Sequence, residues 1–185
     1  MMKRMRMQAA ILLLAAIVVS LSAPLALAAS RDQLVRDANR ALRDLYATNS
    51  MAKLLGGKAK GILVFPNIVK AGFMFGGHLG DGVLTKKGKT AGYYNSVAAS
   101  YGLQFGVQVF GYAMFFMNDA ALAYLDKSGG WEVGVGPSIV VVDTGAAKSM
   151  TSTTLTQDIY AFIFSQKGLM AGMGLQGSKI TRLSD

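Results

Sequence analysis

Glycine placement constrains this chain more than any other feature. All 22 glycines lie after residue 28, and most fall inside or between short apolar stretches of β-like character. A glycine within a strand packs nothing, so it marks a bulge, a sharp coil or a close approach of backbones. The stretches are Ile62 to Phe65, Ala71 to Phe75, Gly82 to Thr85, Ala91 to Asn95, Leu103 to Tyr112, Trp131 to Val135, Ser138 to Val142, Ile159 to Ser165 and Leu169 to Leu175. No helix-length amphipathic segment separates most of them, which predicts antiparallel pairing. The expected fold is α+β: a strongly coiled, mostly antiparallel β-sheet or partial barrel, packed by one or two N-terminal helices.

The helices precede the sheet. Leu34, Val35, Ala38, Ala41, Leu42, Leu45 and Tyr46 recur at helical spacing behind Ser30-Arg31-Asp32-Gln33, which fits a capping box. This predicts an amphipathic helix from Ser30 to about Ala47. A second, short helix starts at an Asn49 or Ser50 cap and ends at Gly56-Gly57. Pro66-Asn67 stops the first strand, Lys86-Lys87-Gly88-Lys89 is a hairpin turn, and Asn118-Asp119 caps a short helix through Leu125. Residues 144–157, rich in Thr, Ser and Ala, read as a mobile connection.

Residues 1–28 read as a secretory signal peptide. Lys3, Arg4 and Arg6 precede an unbroken apolar run of 11 residues, Ala9 to Val19, and Ala26-Leu27-Ala28 matches a small-x-small cleavage site. The expected organisation is a signal peptide, 1–28, and a single domain, 29–185. The expected location is the periplasm or the outside, peripheral on the cell envelope. With no cysteine, the chain has no disulfide, thiolate zinc site, thiol nucleophile or lipid-anchored cysteine; its one histidine excludes a multi-histidine metal site.

The motifs that resemble catalytic or nucleotide signatures fail on context. Gly172-Met173-Gly174-Leu175-Gln176-Gly177 spells a dinucleotide fingerprint, but only eight residues follow and no helix can face a pyrophosphate. Gly88-Lys89-Thr90 lacks the leading glycine of a P-loop, since position 83 is Val83. Ser50-Met51-Ala52-Lys53 matches the Ser-Lys pair of penicillin-binding enzymes without their companion motifs. His78, in Gly76-Gly77-His78-Leu79-Gly80, reads as a turn or strand-end residue with no catalytic partner nearby. No enzyme, cofactor or metal is expected.

The basic residues are the stronger lead, in a chain of net charge +9. Arg31, Arg36, Arg40 and Arg43 lie on the first helix, and Lys58, Lys60 and Lys70 follow. Arg36, Arg40 and Arg43 align at i, i+4 and i+7, a basic stripe suited to an anionic membrane surface. The alternative is a solvated face neutralised locally by Asp32, Asp37 and Asp44. Nucleic acid is not expected, because export removes that partner and no aromatics interleave with the basic run.

The residues also resemble a family. Lys58-Ala59-Lys60-Gly61-Ile62-Leu63-Val64-Phe65-Pro66, then Val69-Lys70-Ala71-Gly72-Phe73 and Gly76-Gly77-His78-Leu79-Gly80-Asp81-Gly82-Val83, are similar to the opening signature of the SYLF domain. Gly102-Leu103-Gln104-Phe105-Gly106-Val107-Gln108 resembles its Gly-x-Gln segment and Gly134-Val135-Gly136-Pro137 its Gly-Pro turn. Ile159-Tyr160-Ala161-Phe162, Ser165 through Gly172 and Leu175-Gln176-Gly177 resemble its closing signature. The resemblance implies lipid binding. Eukaryotic members bind phosphoinositides and act in actin-patch assembly, with lipid contact assigned to an N-terminal amphipathic helix, the place of Ser30 to Tyr46 here. An exported, stand-alone bacterial domain meets no actin, so that role is not expected to carry over. The function expected is non-enzymatic binding of anionic phospholipid at the envelope through Arg31, Arg36, Arg40, Arg43, Lys58, Lys60 and Lys70. The alternatives are a small outer-membrane β-barrel and a structural or protein-interaction module without a lipid ligand.

Overall fold

The computed structural model describes residues 30–127, 129–142, 156–168 and 177–184. The expected signal peptide, most of the connection 144–157 and the stretch Leu169 to Leu175 lie outside them. Residues 30–48 form helix α1. It is followed by α2 (Ser50–Lys58), β1 (Gly61–Lys86), β2 (Lys89–Phe116), α3 (Asp119–Leu122) continued as a 3-10 turn (Ala123–Asp126), β3 (Trp131–Glu132), β4 (Ile139–Val142), β5 (Ile159–Gly168) and β6 (Lys179–Arg182). Among the described residues, two units meet between Arg36 and Asp37. The sheet and its packing belong wholly to the second.

The helices start and stop for local reasons. Asn49 is the N-cap of α2, its side chain accepting the Ala52 N–H at 3.0 Å, and Asn118 caps α3 through the Ala121 N–H at 2.8 Å. Each satisfies a donor the helix itself leaves open. Ser30 is itself helical, so it is not the cap of α1, and Gln33 instead accepts the Arg36 guanidinium at 2.8 Å. The Gly56-Gly57 pair does not end α2, which runs on to Lys58.

The β-like pieces between Ile62 and Met117 are not separate strands. They form one antiparallel hairpin of two long strands, β1 of 26 residues and β2 of 28. Lys87 and Gly88, both at positive φ (51° and 75°), make its two-residue turn, the geometry that matches strand twist. Pro66-Asn67 is not a stop but a register shift, one of three in the hairpin, the others falling between Phe73 and Phe75 and between Leu84 and Thr85. Proline fits there because β1 pairs only with β2 among the described strands, leaving an edge that needs no N–H.

The hairpin doubles back on itself. Thr85 Oγ1 donates to the Ile62 carbonyl at 3.3 Å, joining the two ends of β1. A Cβ at Gly80 would stand 2.6 Å from the Asn67 carbonyl oxygen, and one at Gly82 would stand 2.6 Å from the Phe65 ring. Glycine is the only residue that lets these segments approach so closely. β2 bends with its partner: Tyr94–Val97 pairs with β6, while Gln108–Phe116 pairs with β5. The order β3-β6-β2-β5-β4, with β1 on the other side of β2, is antiparallel except for the β4–β5 pair. The result is a strongly curled half-barrel within an α+β fold.

Its hollow is filled by Leu63, Phe65, Ile68, Leu84, Phe110, Tyr112, Met114 and Phe116, closed by Leu122, Leu125 and Trp131. Val64, Ala113, Phe115, Tyr160 and Phe162 point the other way along the same strands and are buried too. Phe115 meets Phe162 at a ring separation of 5.3 Å and Tyr46 of α1 at 6.3 Å, so the N-terminal helices cover that face. Each such ring removed from water stabilises the fold by about 2 kcal/mol, and no cysteine is needed. Trp131 to Val135 is shorter as a strand than expected, because Val133 and Gly134 turn after Glu132.

Candidate basic surface and lysine groove

The expected basic residues separate into three places. Arg36, Arg40 and Arg43 are exposed on α1, and Arg31 is half-buried and engaged. Among the described residues, no ion pair or hydrogen bond engages the Arg40 or Arg43 side chain, so neither is neutralised by Asp32, Asp37 or Asp44. Lys70 lies on β1 opposite Gln108, where its charge is felt by His78.

Lys58 and Lys60 go elsewhere. They flank Ala59 at the end of α2, and the doubled hairpin brings its own turn to the same spot. Lys58, Lys60, Lys86 and Lys87 together line a concavity of about 490 Å³, with Asp119 and Leu122 on its wall. Lys86 and Lys87 lie at the hairpin turn that the sequence predicts. Nothing in their local pattern shows that a turn so far along the chain from Lys60 folds back beside it; the glycine spacing at 80 and 82 is the only trace.

His78 is placed differently from the expectation. It is neither a turn nor a strand end but an interior residue of β1, 7% exposed. The Tyr112 hydroxyl donates to Ser96 Oγ at 2.7 Å, and Ser96 Oγ lies 3.3 Å from His78 Nε2. Ser96 and Tyr112 are fully buried. Because Ser96 accepts from Tyr112, its own proton is available to a neutral Nε2. Burial, then the Lys70 charge, pushes the His78 pKa below its ordinary value. Burial raises that of the Tyr112 phenol, against the opposing hydrogen bond to Ser96. This chain of groups works as a polar strut inside the hollow. Ser50 and Lys53 are both exposed at the start of α2.

A family model described as Ysc84, Las17-binding protein actin regulator, matches residues 97–185. Residues 97–185 belong to the SYLF family. The SYLF match starts on β2 and runs through β6, taking in Gln108, Tyr112, Asp119 and Asp158. The segment Lys58 to Val83 and helix α1 lie before it, so the groove joins SYLF residues to lysines outside the matched segment. No curated protein matches the chain. Among the described residues, no helix is long and apolar enough to cross a membrane.

Proposed function

We propose that this SYLF protein is a non-enzymatic binder of anionic phospholipid, exported by residues 1–28 and held peripherally on the cell envelope in the periplasm or outside the cell. The observation that carries the reading is the exposed Arg36, Arg40, Arg43 stripe, in which Arg40 and Arg43 have no acidic partner among the described residues. Cationic side chains without partners on a helix surface are attracted to anionic headgroups by about 1 kcal/mol each. The family's description as an actin regulator supports a second reading, a protein-interaction module, but an exported chain meets no actin.

Vesicle flotation tests it. Replacing Arg36, Arg40 and Arg43 by Gln keeps helix propensity and removes three charges. Affinity for anionic vesicles should fall by about two orders of magnitude, with no binding to neutral vesicles by either protein. Equal flotation of parent and variant makes the stripe a merely solvated face. Intact mass of the exported protein should place its start near Ala29.

A further inference from the structure

We propose that the groove lined by Lys58, Lys60, Lys86 and Lys87 is a binding site for a ligand carrying two or more phosphate groups. The proposal deepens the lipid reading and rests on it only for the source of the phosphates, a lipid headgroup rather than a soluble polyphosphate.

Three observations converge on it. The first is assembly. The lysines come from the end of α2 (Lys58), the link before β1 (Lys60), the end of β1 (Lys86) and the hairpin turn (Lys87), and they meet only because β1 folds back until Thr85 bonds to Ile62. The second is charge. Among the described residues no ion pair or hydrogen bond engages any of the four ammonium groups. With Asp119 as the one carboxylate on the wall, the groove holds an excess of three positive charges. Two or more phosphate groups, each of about −1 as a diester and about −1.5 to −2 as a monoester at neutral pH, bring countercharge of that order. The volume, about 490 Å³, is that of a small-ligand site.

The third observation is the turn itself. Lys87 stands at φ 51°, the left-handed region, in the first position of its two-residue turn. Asparagine or glycine adopts that conformation with less strain. A lysine kept where asparagine would sit more easily is strain retained at a site where the charge is of use.

That strain supplies the decisive variant. Lys87→Asn removes the charge while relaxing the turn, so folding and binding should move in opposite directions. Titration calorimetry with sodium tripolyphosphate and flotation with phosphatidylcholine–cardiolipin vesicles are compared for the parent, Lys87→Asn, the double variant Lys86→Gln/Lys87→Asn, and Lys179→Gln as a charge control on β6. Lys87→Asn should melt at or above the parent temperature and bind about five-fold more weakly, and the double variant about 30-fold more weakly. Lys179→Gln should bind as the parent does. Tripolyphosphate binding that the double variant loses, without vesicle binding, upholds the groove and sinks the lipid reading. Vesicle binding by the parent that the double variant retains, with no tripolyphosphate bound, overturns the groove and leaves the lipid reading standing. A double variant that loses no more than Lys179→Gln also overturns it, as does a parent that binds neither probe.

Discussion

His78 shows at the scale of one residue what the fold does to a side chain. In the sequence it sits among glycines, and its surroundings carry no hint of Ser96 or Tyr112. The doubled hairpin then buries it against Ser96, which in turn accepts from Tyr112, with Phe110 edge-on at 6.2 Å. Its pKa is lowered by burial and by Lys70, so the unfolded chain takes up the proton more readily than the folded one. Stability from the neutral, buried ring is therefore full above the ordinary histidine pKa near 6.5 and is lost as pH falls below it. The melting temperature of the parent should drop on acidification from about pH 7.5 to about pH 5, before most carboxylates titrate. His78→Gln keeps an acceptor for the Ser96 hydroxyl and should flatten that slope. The same slope in both proteins would assign it to another group.

At the scale of elements, the helices were legible and the strands were legible only in pieces. Asn49 and Asn118 announce their helices because a cap is a local device, written within three residues of the bond it makes. The hairpin was fragmented because Pro66 and the glycines look like interruptions in a sequence, whereas the structure absorbs them as bulges and close contacts within two continuous strands. The distinction between a glycine that is needed and one that is not can be tested directly. Gly80→Ala would press a methyl group onto the Asn67 carbonyl and the Ile68 side chain and should destabilise the fold by about 1–3 kcal/mol. Gly57→Ala, in α2 with nothing within 4 Å of the new methyl, should stabilise it by about 0.5–1 kcal/mol. Chemical denaturation of the two variants decides the matter: if both shift the midpoint the same way, the close approach at Gly80 does not govern the curl of the hairpin.

At the scale of the molecule, the curl of one hairpin accounts for both the hollow core and the lysine groove, and it also leaves two kinds of surface that could hold a membrane. One is basic: the α1 stripe and the groove. The other is apolar: Val69, Leu79, Val97 and Val107 are each about half exposed (46–59%) on the outward side of β1 and β2. Leu79 and Val97 face each other across the strands, and Val107 lies opposite Ala71, two positions along from Val69. Composition could count the charges and the valines but could not say which of them the fold would leave outside. Salt separates the two surfaces. The Debye length shrinks from about 8 Å at physiological ionic strength to about 3 Å at 1 M, so attraction through exposed lysine and arginine is screened, while burial of apolar side chains is not weakened by the same addition. If the basic surface does the holding, flotation on anionic vesicles should fade between about 0.1 M and 1 M sodium chloride and return on dilution. Flotation that persists at the higher salt would move the membrane contact to the valine and leucine face, and Leu79→Ser/Val97→Ser would then be the variant expected to release the protein.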